Sequence, residues 1–356
     1  MIHLRIRKTF PARPDSAGFS LDVEFQAASG VTVLFGPSGS GKTLTLDSIA
    51  GFARPDEGRI LIDDDLLFDG ATGVHLPPQA RNCGYVFQNY ALFPHMTLRE
   101  NLQFAAERRP RLERYRRVNE MLERFKIADA AGRKPHQVSG GQRQRCSIAR
   151  ALIGAPKVLL LDEPAQGLDA PLRVELYEIL RQVRSDFKTP VLLVTHDLDE
   201  CFELADEMLV VHAGKIIQSG TPKKILDSPA SIEVARLLGR FNLIAGEIRT
   251  LDPGRKTSRL KIAEFELDGP YFPGRLKGDR VTICVRPEQL KALPRDGRPG
   301  PNQIPAELKR AVEKSQSVRL EFSGGIDVEM PRAEYELQRD TQQWAVEFPR
   351  DSLRVL

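Results

Sequence analysis

Hydrophobic and polar positions alternate along the first part of the chain. Leu4 and Ile6 are separated by arginine, and Phe19, Leu21, Val23 and Phe25 alternate with polar residues, the period-two pattern of half-buried strands. Residues 31–35, 158–161, 191–195 and 208–211 are instead buried-type, predominantly apolar runs, which predict strands covered on both faces. Between and beside these runs the pattern turns helical at 43–52, 172–187 and 198–205. Strands alternating with helices predict an α/β domain built on a parallel sheet. From 97 to about 133, Leu98, Leu102, Phe104, Val118, Met121, Leu122 and Phe125 recur near a period of 3.6, so a helical subdomain, about 90–155, is expected inside that domain. After residue 239 the texture changes. Short strand-like pieces at 260–265, 281–285, 318–322, 326–330 and 344–348, broken by proline and glycine, predict a small all-β barrel or sandwich. The stretch 293–305, rich in Pro, Gly and Arg, divides it into halves.

Length agrees with this division, since 356 residues suit two domains, expected at 1–235 and 240–356. The longest apolar runs fall far short of the roughly 20 residues that span a bilayer, so no membrane crossing is expected. The N-terminal residues alternate charge with apolar side chains and contain no signal-peptide h-region, which favours the cytoplasm. A net charge of +4 is too small to imply nucleic acid. The basic run at 108–117 is interleaved with Glu107, Glu113, Glu120 and Glu123, as on a solvated helix face. Cys83, Cys146, Cys201 and Cys284 are scattered and read as reduced, mostly buried thiols. Asp63, Asp64 and Asp65 suit a turn better than a metal site, because adjacent strand side chains point to opposite faces.

Chemistry concentrates in the α/β part. Gly36-Pro37-Ser38-Gly39-Ser40-Gly41-Lys42-Thr43 follows a buried strand and precedes a helix. This is the context in which G-x-x-x-x-G-K-[ST] cradles phosphates: backbone N–H groups and the helix N-terminus face the anion, Lys42 reaches the β/γ oxygens and Thr43 offers a hydroxyl to Mg²⁺. The run 158–161 ends in Asp162-Glu163, one carboxylate suited to the Mg²⁺ shell and the next to polarising a water. Ser139-Gly140-Gly141-Gln142 opens a strongly helical run and forms a second anion nest. With two nests but a single Asp-Glu strand, the simplest arrangement is a head-to-tail dimer in which the second nest serves the nucleotide of another copy.

In that order, the phosphate loop, Ser139-Gly140-Gly141-Gln142 and Asp162-Glu163 resemble the ATPase subunits of ATP-binding cassette (ABC) transporters over roughly residues 1–235. The resemblance implies a P-loop cassette fold, ATP with Mg²⁺, and further roles. Gln88 matches the glutamine that joins metal and water to the helical subdomain. Asp169 matches the aspartate at the dimer seam, although Gln166-Gly167 replaces the usual Ser-Ala before it. His196 matches the histidine that contacts the γ-phosphate. The adenine-stacking aromatic falls on Phe10 or Phe19, with Phe10 preferred.

Residues 91–102 are similar to the segment by which importer ATPases grip their membrane permease, and the C-terminal β region is similar to the OB-like (TOBE/Mop-type) accessory domain of such importers. Leu66-Leu67-Phe68-Asp69-Gly70 followed by Gly73-Val74-His75-Leu76-Pro77-Pro78 looks most like the molybdate and tungstate importers. The Asn-centred loop with which those accessory domains bind oxyanion is not recognisable near Asn302, so sulfate, ferric iron or an organic solute stay open. The implied partners are a second copy, membrane permease subunits and, indirectly, a substrate-binding protein, at the cytoplasmic face of the membrane. A non-transport cassette or an oxyanion sensor is the competing reading.

Overall fold

The computed structural model describes residues 1–12, 18–107, 109–187, 189–239, 241–295 and 300–356. Arg108 of the basic run and residues 296–299 of the dividing stretch lie outside the described residues. The chain forms two compact units, Met1–Asp227 and Ser228–Leu356.

At the centre of the first unit stands a six-stranded sheet in the order Lys215–Gly220, Glu207–His212, Val31–Phe35, Val191–Thr195, Val158–Asp162, Cys83–Val86. All neighbours run parallel except the first pair. Every residue of the three middle strands is buried, which is why they read as predominantly apolar runs. A second, antiparallel sheet is ordered Phe19–Ala27, Ile2–Phe10, Glu57–Ile62, Asp65–Asp69, Val74–His75. Its strands alternate, and the inward side chains Ile2, Leu4, Ile6, Leu21, Val23 and Ile60 join the core that also holds Leu34, Leu160 and Val194. Asp63 and Asp64 form a turn, Asp63 with φ 52°. The Met1 amino group pairs with Asp63 and Lys157 with Asp65 at 2.6 Å, so the acidic triplet meets cations of the chain itself.

The helical segment divides more finely than its sequence period suggests. Leu98–Ala105, Arg111–Arg124 and Gly140–Leu152 are helices, the first closed by a capping box of Thr97 with Glu100, and Pro110 separating the first two. On the second, Arg109–Glu113 and Arg117–Glu120 ion pairs line an exposed face.

The second unit is nearly all β. A five-stranded antiparallel sheet runs Phe265–Pro270, Thr257–Ile262, Asn242–Asp252, Arg280–Val285, Arg354–Val355, joined by two three-stranded sheets around a single core that includes Ile248, Leu260, Ile283, Leu320, Trp344 and Phe348. The piece expected at 260–265 is two strands, because Ala263, at φ 51°, and Glu264 turn the chain between Ile262 and Phe265. Asn302, φ 57°, acts as a staple. Its amide donates to the carbonyls of Asp268 (2.8 Å) and Phe348 (2.9 Å), and its Oδ1 accepts from Asp268 N (2.7 Å).

No helix among the described residues is long and apolar enough to cross a membrane. All four cysteines are free thiols, and burial pushes those of Cys83, Cys146 and Cys284 up to about 12.

Candidate functional site

Four loops leave the carboxyl edge of the parallel sheet side by side, the place where open α/β sheets bind ligands. Register puts Phe35 opposite Thr195, Asp162 opposite Val194 and Val86 opposite Leu161. The loops that follow therefore carry Gly36–Thr43, Glu163, His196 and Gln88 to one edge.

The phosphate loop is shaped by its glycines at two points. Gly36 has the carbonyl of Val211 2.1 Å from where a Cβ would stand, and Gly41 sits in the left-handed region at φ 102° as the cap of helix Lys42–Ala50. Lys42 is buried and folds back to donate to the carbonyls of Gly36 (2.8 Å) and Pro37 (2.9 Å). Burial lowers its pKa, while Glu163 and Asp162 pull the other way. Its ammonium thus lies in the mouth of the loop, held by carbonyls that a phosphate oxygen would outbid.

Thr43 Oγ1 donates to Asp162 Oδ1 at 3.0 Å. Burial raises the Asp162 pKa and the threonine bond opposes it. A hydroxyl and a carboxylate together are a hard-oxygen donor set that fits Mg²⁺, which fills the rest of its shell with waters and substrate phosphates. Among the described residues there is no cluster of three or more His, Cys, Asp or Glu that would suit an all-protein metal cage.

Glu163 is unusual in its backbone. It adopts φ 46° without being glycine, and its N–H donates to the Val194 carbonyl at 3.0 Å, so the neighbouring strand holds the strained turn. Its Oε2 lies 3.3 Å from Nδ1 of His196, whose ring is half exposed. Glu163 is near enough to Lys42 for its charge to raise the Lys42 pKa against burial.

Other residues singled out from the sequence stand apart. Gln88 is exposed in the turn after Cys83–Val86. Ser139 caps helix Gly140–Leu152 through a reciprocal box: its Oγ accepts from Gln142 N at 3.2 Å and Gln142 Oε1 accepts from Ser139 N at 3.1 Å. Among the described residues no hydrogen bond joins either to the Lys42–Glu163 group. A Cβ at Gly141 would crowd the tip of Leu172, whose Cδ2 lies 2.8 Å from the Cβ position. Asp169 Oδ1 accepts from Leu172 N at 3.1 Å at the start of helix Ala170–Phe187. Phe10 and Phe19 face each other across the first hairpin. Phe10 is 44% exposed with Lys8 Nζ 5.6 Å from its ring centroid, whereas Phe19 packs on the phosphate loop, 3.1 Å from the Gly41 Cβ position.

Several supporting residues carry no sequence signal of their own. Buried Gln144 donates to the Pro164 carbonyl, linking the helix after Ser139 to the turn after Glu163. Asn101, fully buried, accepts from Phe93 N (2.9 Å) and donates to the Thr97 carbonyl (3.0 Å); Arg150 donates to the Ala91 carbonyl (2.8 Å). They fix the loop beside an open groove of about 400 Å³ lined by Tyr85, Phe87, Phe93 and Phe104. Polar residues inside helical runs look alike in sequence whether they face water or a loop, so only a Gly- or Pro-marked neighbourhood could have pointed to them.

A phosphate loop on a central parallel strand, with an Asp-Glu pair at the carboxyl edge two strands away, defines a P-loop ATPase. The ABC transporter family model matches residues 20–166. The molybdenum import ATP-binding protein ModC of Paramagnetospirillum magneticum is 40% identical over 245 residues, 68% of this chain and 67% of that protein. The spermidine/putrescine import ATP-binding protein PotA of Nitratidesulfovibrio vulgaris is 37% identical over 309 residues, covering 85% and 80%. Sulfate/thiosulfate import ATP-binding protein CysA 2 of Agrobacterium fabrum is 38% identical over 317 residues, covering 88% and 86%. Among solved structures, a dimeric ATP-binding cassette in a post-hydrolysis state with ADP and Pi aligns with TM-score 0.54 at 27% identity, over 62% of this chain and 99% of that one. The chain belongs to the ABC transporter family, as an ATPase cassette followed by a small β unit.

Proposed function

We propose that this protein is the motor subunit of an ABC importer, with molybdate-type oxyanions as the transported class. The observation that carries the motor reading is the convergence of Lys42, Thr43, Asp162, Glu163 and His196 at one sheet edge. In this reading Lys42 leaves its carbonyl partners for the β/γ oxygens of ATP, and Thr43 and Asp162, with Gln88, hold Mg²⁺. When bound, the ion neutralises phosphate charge. Glu163 accepts the proton of the attacking water, and His196, whose Nδ1 stands 3.3 Å from Glu163 Oε2, contacts the γ-phosphate. Phe10, the more exposed ring, stacks on adenine. Gly36, Pro37, Ser38, Gly39, Ser40 and Gly41 wrap the phosphates with backbone N–H groups.

Ser139, Gly140, Gly141 and Gln142 complete the site of a second copy, with Asp169 at the seam. The capping box leaves the helix N-terminus preformed, so a phosphate gains its dipole without reordering the loop. The dimeric cassette among the solved relatives supports this. Closure of two copies around ATP would move the loop at 91–97 and its aromatic groove, where we place the permease's contact; Phe104 is 51% exposed there. That arrangement puts the protein on the cytoplasmic face, receiving cargo through the permease from a substrate-binding protein.

For the cargo, residues 66–70 and 73–78 and the molybdenum relative support oxyanion. A second reading, polyamine or sulfate, is favoured by the length of those relatives' alignments, which reach into the second unit. Asn302 does not arbitrate, since its side chain is spent on the backbone of the β unit itself. The test is elemental analysis of cells whose sole copy is wild type or Glu163→Gln, grown on limiting molybdate, sulfate and iron. A selective fall in molybdenum is expected. A fall in sulfur or iron discards molybdate and keeps the motor, and unchanged content of all three points to an organic solute.

A further inference from the structure

A closed circuit of contacts begins and ends on Glu163. Its carbonyl accepts from Gln166 N at 3.1 Å, and within the same loop Leu168 N donates to the Ala165 carbonyl at 3.3 Å. The Leu168 carbonyl accepts from one terminal nitrogen of Arg173 at 3.4 Å, and the other terminal nitrogen reaches Asp197 Oδ2 at 3.2 Å. Asp197 directly follows His196, whose Nδ1 returns to Glu163 Oε2 at 3.3 Å.

We propose that Arg173 is a positioning residue for hydrolysis: its guanidinium fork ties the 166–169 loop to Asp197 and so sets where His196 stands against Glu163. The proposal rests on the ATPase reading of that site.

Three features make the fork more than a surface ion pair. First, Arg173 is fixed at its base, lying one turn into helix Ala170–Phe187 with its N–H donating to the Asp169 carbonyl at 3.0 Å. Second, Asp197 is itself immobilised. Its Oδ1 accepts from Asp199 N (2.8 Å) and Glu200 N (3.4 Å) as the cap of helix Leu198–Leu204, while its own N–H donates to Thr195 Oγ1 (2.9 Å). The carboxylate therefore has one oxygen for its helix and one for Arg173, and His196 hangs between Asp197 and the buried strand end. Third, the cleft between the two helices is polar and incompletely bonded: Arg173 Nε, Tyr177 Oη and Glu200 Oε1 are buried with no hydrogen-bond partner among the described residues. Such atoms are costly unless the local arrangement serves something else. A displacement of the 166–169 loop thus reaches His196 through two hydrogen bonds of one rigid planar group. Lysine, a point charge on a flexible stem, can hold Asp197 but cannot span both acceptors.

The test is steady-state ATP hydrolysis by the full-length protein in wild type, Arg173→Ala, Arg173→Lys, Asp197→Asn and the double Arg173→Ala/Asp197→Asn, with Glu163→Gln as reference. Asparagine still caps the helix but loses the charge. Arg173→Ala and Asp197→Asn are each expected to lower kcat about tenfold with KM for ATP within about twofold, Arg173→Lys to fall between, and the double to stay within about twofold of the slower single. Unchanged kcat in Arg173→Ala, a loss confined to KM, or losses that multiply in the double would overturn the proposal while leaving the ATPase reading intact. Wild-type turnover by Glu163→Gln would instead remove the reading, and the proposal with it. Should Arg173→Ala fold poorly, Arg173→Lys against Asp197→Asn reads the same coupling.

Discussion

Glu163 shows how much one residue can hold. A left-handed φ costs a non-glycine residue of order 1 kcal/mol or more, and the turn is kept because its N–H is bonded to a neighbouring buried strand. Replacement by glutamine preserves shape and removes the basic oxygen. Glu163→Gln is expected to bind ATP as the wild type does and to lose at least about a hundredfold in turnover, read by nucleotide titration beside phosphate release. Glu200, on the helix after His196, titrates out of its ordinary range: burial pushes its carboxyl from 4.5 up to about 7, against a bond from Thr195. Between those values the native chain keeps a proton that the unfolded chain has lost. Its favourable contribution is thus complete below the unfolded value and is lost as pH rises through about 7. Glu200→Gln carries no such dependence. Relative to wild type it is expected to gain about 3 kcal/mol between about pH 5 and about pH 8, measured by urea unfolding at both ends.

At the scale of elements, the helix that carries Lys42 depends on an arginine far from the chemistry. Arg81, 1% exposed, donates to the carbonyls of Ser48 (2.7 Å), Ile49 (2.8 Å) and Leu76 (2.8 Å) and meets His75 Nδ1 at 3.0 Å. It thereby satisfies the orphan carbonyls at the end of Lys42–Ala50 and places a cation at the negative pole of that helix. Gly51 makes room for it, since a Cβ there would stand 2.7 Å from Arg81 Nε. Arg81→Met fills the volume but strands those carbonyls, and is expected to cost about 3 kcal/mol of stability by denaturant titration. Loss within about 0.5 kcal/mol would show the carbonyls to be satisfied otherwise. The same logic separates the legible from the illegible here. Residues 36–43 announce themselves because loop geometry demands glycines, whereas Arg81 sits in a polar stretch where nothing marks it as buried.

At the scale of the molecule, each unit has its own core. The cluster around Ile248, Leu260, Val318, Trp344 and Phe348 draws only on residues beyond the boundary at Asp227–Ser228. The piece 228–356 expressed alone is expected to unfold in one cooperative transition with coincident circular dichroism and tryptophan fluorescence signals, Trp344 being buried in that core. Non-coincident transitions would show that the unit borrows stability from the cassette. The ATP site, in the reading proposed above, is instead completed by a second copy: Ser139 is exposed and, among the described residues, bonds only within its own capping box with Gln142.

What the sequence alone determined was the local and the repetitive. Period-two and unbroken apolar runs identify strands because burial on one or both faces is written directly into side-chain polarity. The phosphate loop and Asp162-Glu163 are legible because phosphate and metal chemistry tolerate few residue types at fixed spacing. Tertiary structure decided the rest. Strand order brings Phe35 to a common edge with Asp162 and Thr195, each more than a hundred residues further along the chain. It closes Glu163, Leu168, Arg173, Asp197 and His196 into one circuit, and commits Asn302 to the backbone of the β unit. These choices depend on which polar groups lose water together, a property of packing that no window of sequence contains.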